Sequence, residues 1–266
     1  MTPLFDAHCH YQDARLRTHR AEFVPRLASL GLRGAVVNGT RESDWPAVAE
    51  FCAAHLGMIP SFGLHPWFVR ERSPAWRDAL MQVLNNYPRS AVGEVGLDRW
   101  FEGHDLEDQR RVFAEELVIA AEVKRPVTIH CLRAWGTLQE MLRAGPAPPR
   151  GFLLHAYGGP MELVSEFARA GAFFSFSPYF LHERKGEQRR VFAEIPLERL
   201  LVETDAPDLW PPPERNAHPL SDEDGRPLNH PANLEVAYAG LAEIRGMPVE
   251  TLAVRVAENF QRLFCS

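Results

Sequence analysis

The chain has 266 residues, a formal charge of −6 at pH 7 and a hydrophobic fraction of 45%. This length can bury one sizeable core, and the acidic balance argues against a broad basic surface while leaving room for a local cationic patch or a bound metal. No apolar run approaches the ~20 residues needed to span a bilayer, which excludes a membrane-spanning helix.

Short β-rich runs alternate with segments of helical period along the chain. The first predicted strand covers 3–8, "PLFDAH", and the next three cover 34–39, 58–63 and 90–95. The segment 44–56, "DWPAVAEFCAAHL", reads as an amphipathic helix between the second and third strands. A longer helix is predicted in 105–124, with Asp105 as its N-cap and Lys124-Arg125-Pro126 as its stop. Strands follow at 126–131, 151–156, 172–177 and 199–205. The proline-rich stretch 206–231 breaks this rhythm. Its rigidity and its place after the last strand predict a structured rim, and helices near 232–245 and 248–264 complete the chain. Eight strand–helix units predict an α/β fold, a (β/α)8 TIM-like barrel made as a single domain over 1–266; an open doubly wound sheet is the rival.

Polar side chains recur where these strands end. His8 and His10 close the first, with Cys9 between them facing the opposite way. His65 follows the third, Glu94 ends the fourth, His130 the fifth, His155 the sixth and Asp205 the eighth. Each histidine alone is better read as a hydrogen-bonded core residue. Together they reach the face on which an α/β barrel carries its active site, from positions nearly 200 residues apart. Buried polar groups after runs such as "VTI" and "FLL" need partners, and a pair of metal ions supplies one for all of them. Imidazole and carboxylate donors suit divalent ions such as zinc, manganese or magnesium. Glu94 is placed to bridge two such ions, and Asp205 to take the proton from an attacking water. Glu94 and Asp205 are therefore the catalytic candidates.

The stretches "FDAHCH", "GLHPW", "GEVGLD", "PVTIHC", "LLHAYGG", "LLVETDAP", "NHPANL" and "ENFQRLF" span the chain from end to end. In this set and order the chain resembles the TatD-type metal-dependent hydrolases, a deoxyribonuclease-like branch of the amidohydrolase superfamily. The resemblance implies a TIM-like barrel with two divalent metal ions. It implies His8, His10, Glu94 and Asp205 as ligands of one ion, and Glu94, His130 and His155 as ligands of the other. His65 sits where the family keeps a pocket histidine that contacts substrate. The implied activity is hydrolysis of DNA phosphodiesters, often from the 3′ end, while some relatives act on other esters or phosphates. The chain departs from the pattern at "HAYGG" in place of an "HSFSG"-like run. Arg133 is offset from the arginine expected after the fifth-strand histidine, and His230 stands where an acidic residue is common.

Other residues have less specific readings. Trp67, Trp135 and Trp210 lie on predicted loops of the active face, where they could stack on bases; packing beneath loops is favoured for Trp135. Arg133 is equally suited to a phosphate contact and to solvating a helix start. Cys9 and Cys131 read as core residues, Asn229 as a helix cap and Asn259 as structural, with Glu203 unassigned. Four cysteines with no CxxC spacing, and no basic-then-apolar leader, predict a cytoplasmic protein with reduced thiols.

The leading functional expectation is a phosphodiesterase acting on DNA or a small phosphodiester, with no membrane and no obligate protein partner. The second keeps the metal site but directs it at a carboxylic ester, lactone, amide or small phosphate ester. The third, a non-catalytic binding protein on a retired barrel, is disfavoured because no ligand is missing.

Overall fold

The computed structural model describes residues 2–265. Eight strands pair in parallel in the order β1 to β8: β1 (Leu4–Cys9), β2 (Leu32–Asn38), β3 (Met58–Phe62), β4 (Ala91–Asp98), β5 (Val127–Leu132), β6 (Phe152–Leu154), β7 (Ala172–Phe176) and β8 (Leu200–Val202). The connecting helices are α1 (Arg20–Leu30), α2 (Trp45–Ala54), α3 (Trp76–Asn86), α4 (Leu106–Val123), α5 (Trp135–Ala144), α6 (Val164–Arg169) and α7 (Gly186–Glu194). A hairpin, β9 (Pro219–Ser221) with β10 (Pro227–Asn229), follows β8, and α8 (Leu234–Arg245) and α9 (Val249–Phe260) finish the fold. This is the expected (β/α)8 arrangement, and the open-sheet rival is excluded. The segment 206–231 is structured, as its prolines predict.

The barrel closes between its first and last strands chiefly through hydrogen bonds from loop and side-chain groups. Asp205 donates its amide to the His8 carbonyl at 3.0 Å, and His10 donates to the Ala206 carbonyl at 2.8 Å. Deeper in the seam, the Asp6 carboxylate accepts from the Thr204 amide at 3.1 Å and from the Thr204 hydroxyl at 2.6 Å. The Tyr238 hydroxyl accepts from the Phe5 amide at 3.0 Å and donates to the Phe5 carbonyl at 2.9 Å. One phenol thus satisfies both backbone groups that Phe5 turns toward the seam, which would be costly if left unpaired in a buried position.

Local irregularities set where the polar residues point. Between Val92 and Val95 the pairing of β4 with β5 spends three steps against two on β5, from Val127 to Ile129. This is a bulge, which re-aims side chains, and Glu94 lies inside it. The same excess occurs on β1 between Asp6 and Cys9, around His8. Gly93 permits the bulge to sit tightly on its neighbours: a Cβ there would lie 1.8 Å from the Thr128 hydroxyl.

Several expected boundaries shift. The fourth strand continues to Asp98, so Glu94 is an interior residue and not a strand end. The fifth runs two residues past His130. The sixth and eighth have three residues each, leaving His155 and Asp205 beyond them. Asp105 does cap α4, accepting from the Asp108 amide, and Lys124 ends it in the left-handed conformation. Asn229 does not cap the following helix. The His230 ring takes that role through the Ala232 amide, while Asn229 donates to the Thr204 carbonyl at 2.7 Å and ties the rim to the end of β8.

Candidate metal centre

Six side chains converge at the C-terminal mouth of the barrel. His8 and His10 come from the end of β1, Glu94 from the β4 bulge, His130 from β5, and His155 and Asp205 from the turns after β6 and β8. His8, Glu94 and His155 are more than nine-tenths buried, and Asp205, His10 and His130 nearly so.

Their donor atoms fall into two groups that share Glu94. Around Glu94 Oε2, the Nε2 atoms of His8 and His10 each lie 3.3 Å away and 3.3 Å from one another. Asp205 Oδ1 completes this group at 3.4 Å from both nitrogens. A cation bound at 2.0–2.1 Å by four tetrahedral donors sets them roughly 3.3–3.4 Å apart, which is the spacing seen. Around Glu94 Oε1, His130 Nδ1 lies at 3.1 Å and His155 Nε2 at 2.9 Å, and these two nitrogens are 3.0 Å apart. Donors at right angles around the same kind of ion lie roughly 2.9–3.0 Å apart. Asp205 Oδ1 is buried and has no hydrogen-bond donor. The donor set therefore fits divalent metal.

The outer partners of the imidazoles fix which nitrogen is free to ligate. His10 Nδ1 meets the Asn38 carbonyl at 2.8 Å, leaving Nε2 for the centre. His130 Nε2 meets Asp98 Oδ2 at 2.8 Å, leaving Nδ1. His155 Nδ1 faces Glu203 Oε1 at 3.5 Å, leaving Nε2. His65 is different. Its Nδ1 accepts from the Trp67 amide at 3.1 Å, so in the neutral ring Nε2 carries the proton, and Nε2 points at Glu94 Oε1 from 3.4 Å. His65 is thus arranged as a donor toward Glu94.

Electrostatics follow from burial and from the acids. Burial lowers His8 to about 4 and His65 to about 3. Burial also opposes charge on His10, but the Glu94 and Asp205 carboxylates, 3.3 and 3.4 Å from its Nε2, prevail and hold it well above the ordinary histidine value. Burial raises Glu203 to about 7 against the pull of His155. The acids therefore draw protons onto neighbouring imidazoles, and a divalent cation would displace them.

The remaining expected site residues lie at the rim. Trp67 is half-exposed and donates its indole N–H to Asp98 Oδ2 at 2.8 Å. Arg133 is exposed, in the left-handed backbone region at φ 57°, with its guanidinium 5.3 Å from the Trp100 ring centre. Trp135 packs on Tyr157 at 4.8 Å between ring centres, away from any stacking role. Cys9 and Cys131 are buried as expected, and Asn259 donates to the Leu197 and Leu200 carbonyls in a structural role.

Two residues escaped the sequence reading. Asp98 links His130, Trp67 and the Trp100 amide through its two oxygens, and Asp6 closes the barrel behind His8. Both stand inside motifs that the sequence singled out, "GEVGLD" and "FDAHCH". The available signal was an acid in a strand whose neighbours are apolar.

A parallel eight-stranded barrel with clustered imidazoles and carboxylates at its C-terminal mouth defines a metal-dependent hydrolase. The family model described as "TatD related DNase" matches residues 5–265, and the chain belongs to that family. The chain is 28% identical to the metal-dependent hydrolase YjjV of Escherichia coli K12 over 261 residues, covering 97% of this chain and 96% of that protein. It is also 28% identical to the "3'-5' ssDNA/RNA exonuclease TatD" of Klebsiella pneumoniae, covering 98% and 97% of the two chains. The crystal structure of E. coli YjjV superposes with a TM-score of 0.89 at 26% identity, covering 99% of this chain and 98% of that one.

Proposed function

We propose that this chain hydrolyses phosphodiesters at nucleic-acid ends, DNA foremost, with two divalent ions held by His8, His10, Glu94 and Asp205 on one side and by Glu94, His130 and His155 on the other. The observation that carries this reading is the division of Glu94, each of whose oxygens faces a separate donor group. The exonuclease named among the relatives supports the choice of bond and substrate. When bound, the ions supply Lewis acidity and an activated water at neutral pH; zinc, manganese and magnesium all suit these donors.

The chain's own residues supply the rest. Asp205 takes the proton of the attacking water, its carboxylate lying beside the donor group of His8, His10 and Glu94. His65 offers its Nε2–H to a non-bridging phosphate oxygen. Arg133 and Trp67 bound the same side of the mouth and hold the substrate. The four unpaired cysteines accord with a cytoplasmic location.

The test is turnover by purified protein loaded in turn with zinc, manganese or magnesium. Single-stranded DNA, RNA, a small phosphodiester and a carboxylic ester are compared. Release of mononucleotides from DNA is the expected result. Ester cleavage without phosphodiester cleavage would overturn the proposal in favour of carbonyl chemistry on the same site.

A further inference from the structure

Five large apolar side chains are exposed among the described residues, and two of them, Trp67 at 51% and Trp100 at 52%, flank the metal centre. Scattered exposed apolar residues need no explanation, but a cluster beside a site does. Both tryptophans are fastened to one carboxylate. Asp98 Oδ2 accepts the Trp67 indole N–H at 2.8 Å, and Asp98 Oδ1 accepts the Trp100 amide at 2.6 Å. Asp98 Oδ2 also lies 2.8 Å from His130 Nε2. The Trp67 ring and the Trp100 backbone are therefore held, through Asp98, against His130 of the donor group around Glu94 Oε1. Arg133 extends from the end of β5 with its guanidinium over the Trp100 ring, and no ion pair engages it among the described residues. Phe101 stands edge-on to Trp67 at 6.0 Å, buttressing that ring. Exposed aromatic faces beside an uncommitted cation suit a planar ring carried on an anionic backbone.

We propose that Trp67, Trp100 and Arg133 form a stacking platform for the base adjoining the scissile phosphodiester, with Trp100 as the residue that reads the presence of that base. This rests on the phosphodiesterase reading above and assigns the residues that recognise the base. A base stacked inside a duplex offers only its edges to such a platform, whereas an unstacked one offers its face. The stack is indifferent to base identity, because every base has an aromatic face.

The test uses the metal-loaded full chain and single-stranded DNA oligonucleotides. These differ only in an abasic tetrahydrofuran unit at the terminal or the penultimate nucleotide. Wild type should cleave the base-bearing oligonucleotide about tenfold more efficiently than one of the abasic ones, the scale of one base–aromatic stack. Trp100→Ala should collapse that ratio toward one through a higher KM, and Trp100→Phe should restore most of it. Binding gives a second readout: the Asp205→Asn protein should show tryptophan quenching by the base-bearing strand that Trp100→Ala diminishes. Because Trp100 is half-exposed, its replacement leaves the core intact, which circular dichroism checks. Wild type cutting all the oligonucleotides equally, or Trp100→Ala discriminating as wild type does, would overturn the platform alone. Wild type cutting none of them would overturn the phosphodiesterase reading and the platform together.

Discussion

Asp205 occupies the left-handed backbone region at φ 54°, a conformation uncommon for L-residues other than asparagine and aspartate. Its amide donates to the His8 carbonyl and its carboxylate lies beside two imidazoles. Replacing it with asparagine keeps the shape and removes the proton acceptor. Turnover by Asp205→Asn should fall about 10²–10⁴-fold with an unchanged circular dichroism spectrum. Cleavage at the wild-type rate would remove Asp205 from the mechanism. Asp98 acts at one remove, by orienting His130. Asp98→Asn should weaken metal affinity about 10–100-fold, read by titration with a chelating indicator; full retention would show that His130 is oriented without it. The histidines that cluster at the mouth were legible in the sequence because a polar residue after an apolar strand is conspicuous. Asp98 and Asp6 were not, because their significance lies in contacts across the barrel, such as Asp6 to Thr204, which no linear spacing displays.

Among the elements, α4 shows how a helix supports the mouth. Glu116, one turn beyond Val112, is fully buried and accepts the Leu64 amide at 2.8 Å, next to His65. Burial holds its carboxyl well above the usual carboxylate range, and its second oxygen has no partner. The folded state therefore keeps a proton that the unfolded chain releases at about pH 4.3. The stability this contributes is full below that value and is lost as pH rises through the folded-state pKa. Glu116→Gln should leave the midpoint of thermal unfolding unchanged near pH 4 and raise it increasingly above wild type toward pH 8. Parallel curves for the two proteins would contradict a neutral Glu116. The strands were found at the right places in the sequence, yet their ends were not. A three-residue β8 followed by a left-handed Asp205 has the same apolar signature as a longer strand. The bulge around Glu94 likewise leaves no trace in an alternation pattern, because it depends on Gly93 admitting Thr128.

For the whole molecule, the donors come from five separate strands or the turns that follow them. A bound ion therefore links parts of the barrel that meet only when it is folded. Ligand binding to the native state alone stabilises by about 2.7 kcal/mol at a hundredfold excess over Kd. Chelation should lower the unfolding midpoint and abolish turnover, and manganese or zinc should restore both. A His8→Ala protein should show a markedly smaller midpoint shift on metal addition. An identical shift would place the stabilising ion elsewhere.

The seam between the first and last strands adds a dynamic consequence. Elsewhere the barrel wall is a ladder of neighbouring strands, but here the fastening nearest the mouth consists of the amides of His10 and Asp205. Local opening along this line exposes those two amides and parts His8 from Asp205 in a single event. Deuterium uptake at positions 10 and 205 should therefore slow together when metal is added, so that solvent exchange at two backbone sites reports occupancy of the centre without any substrate present.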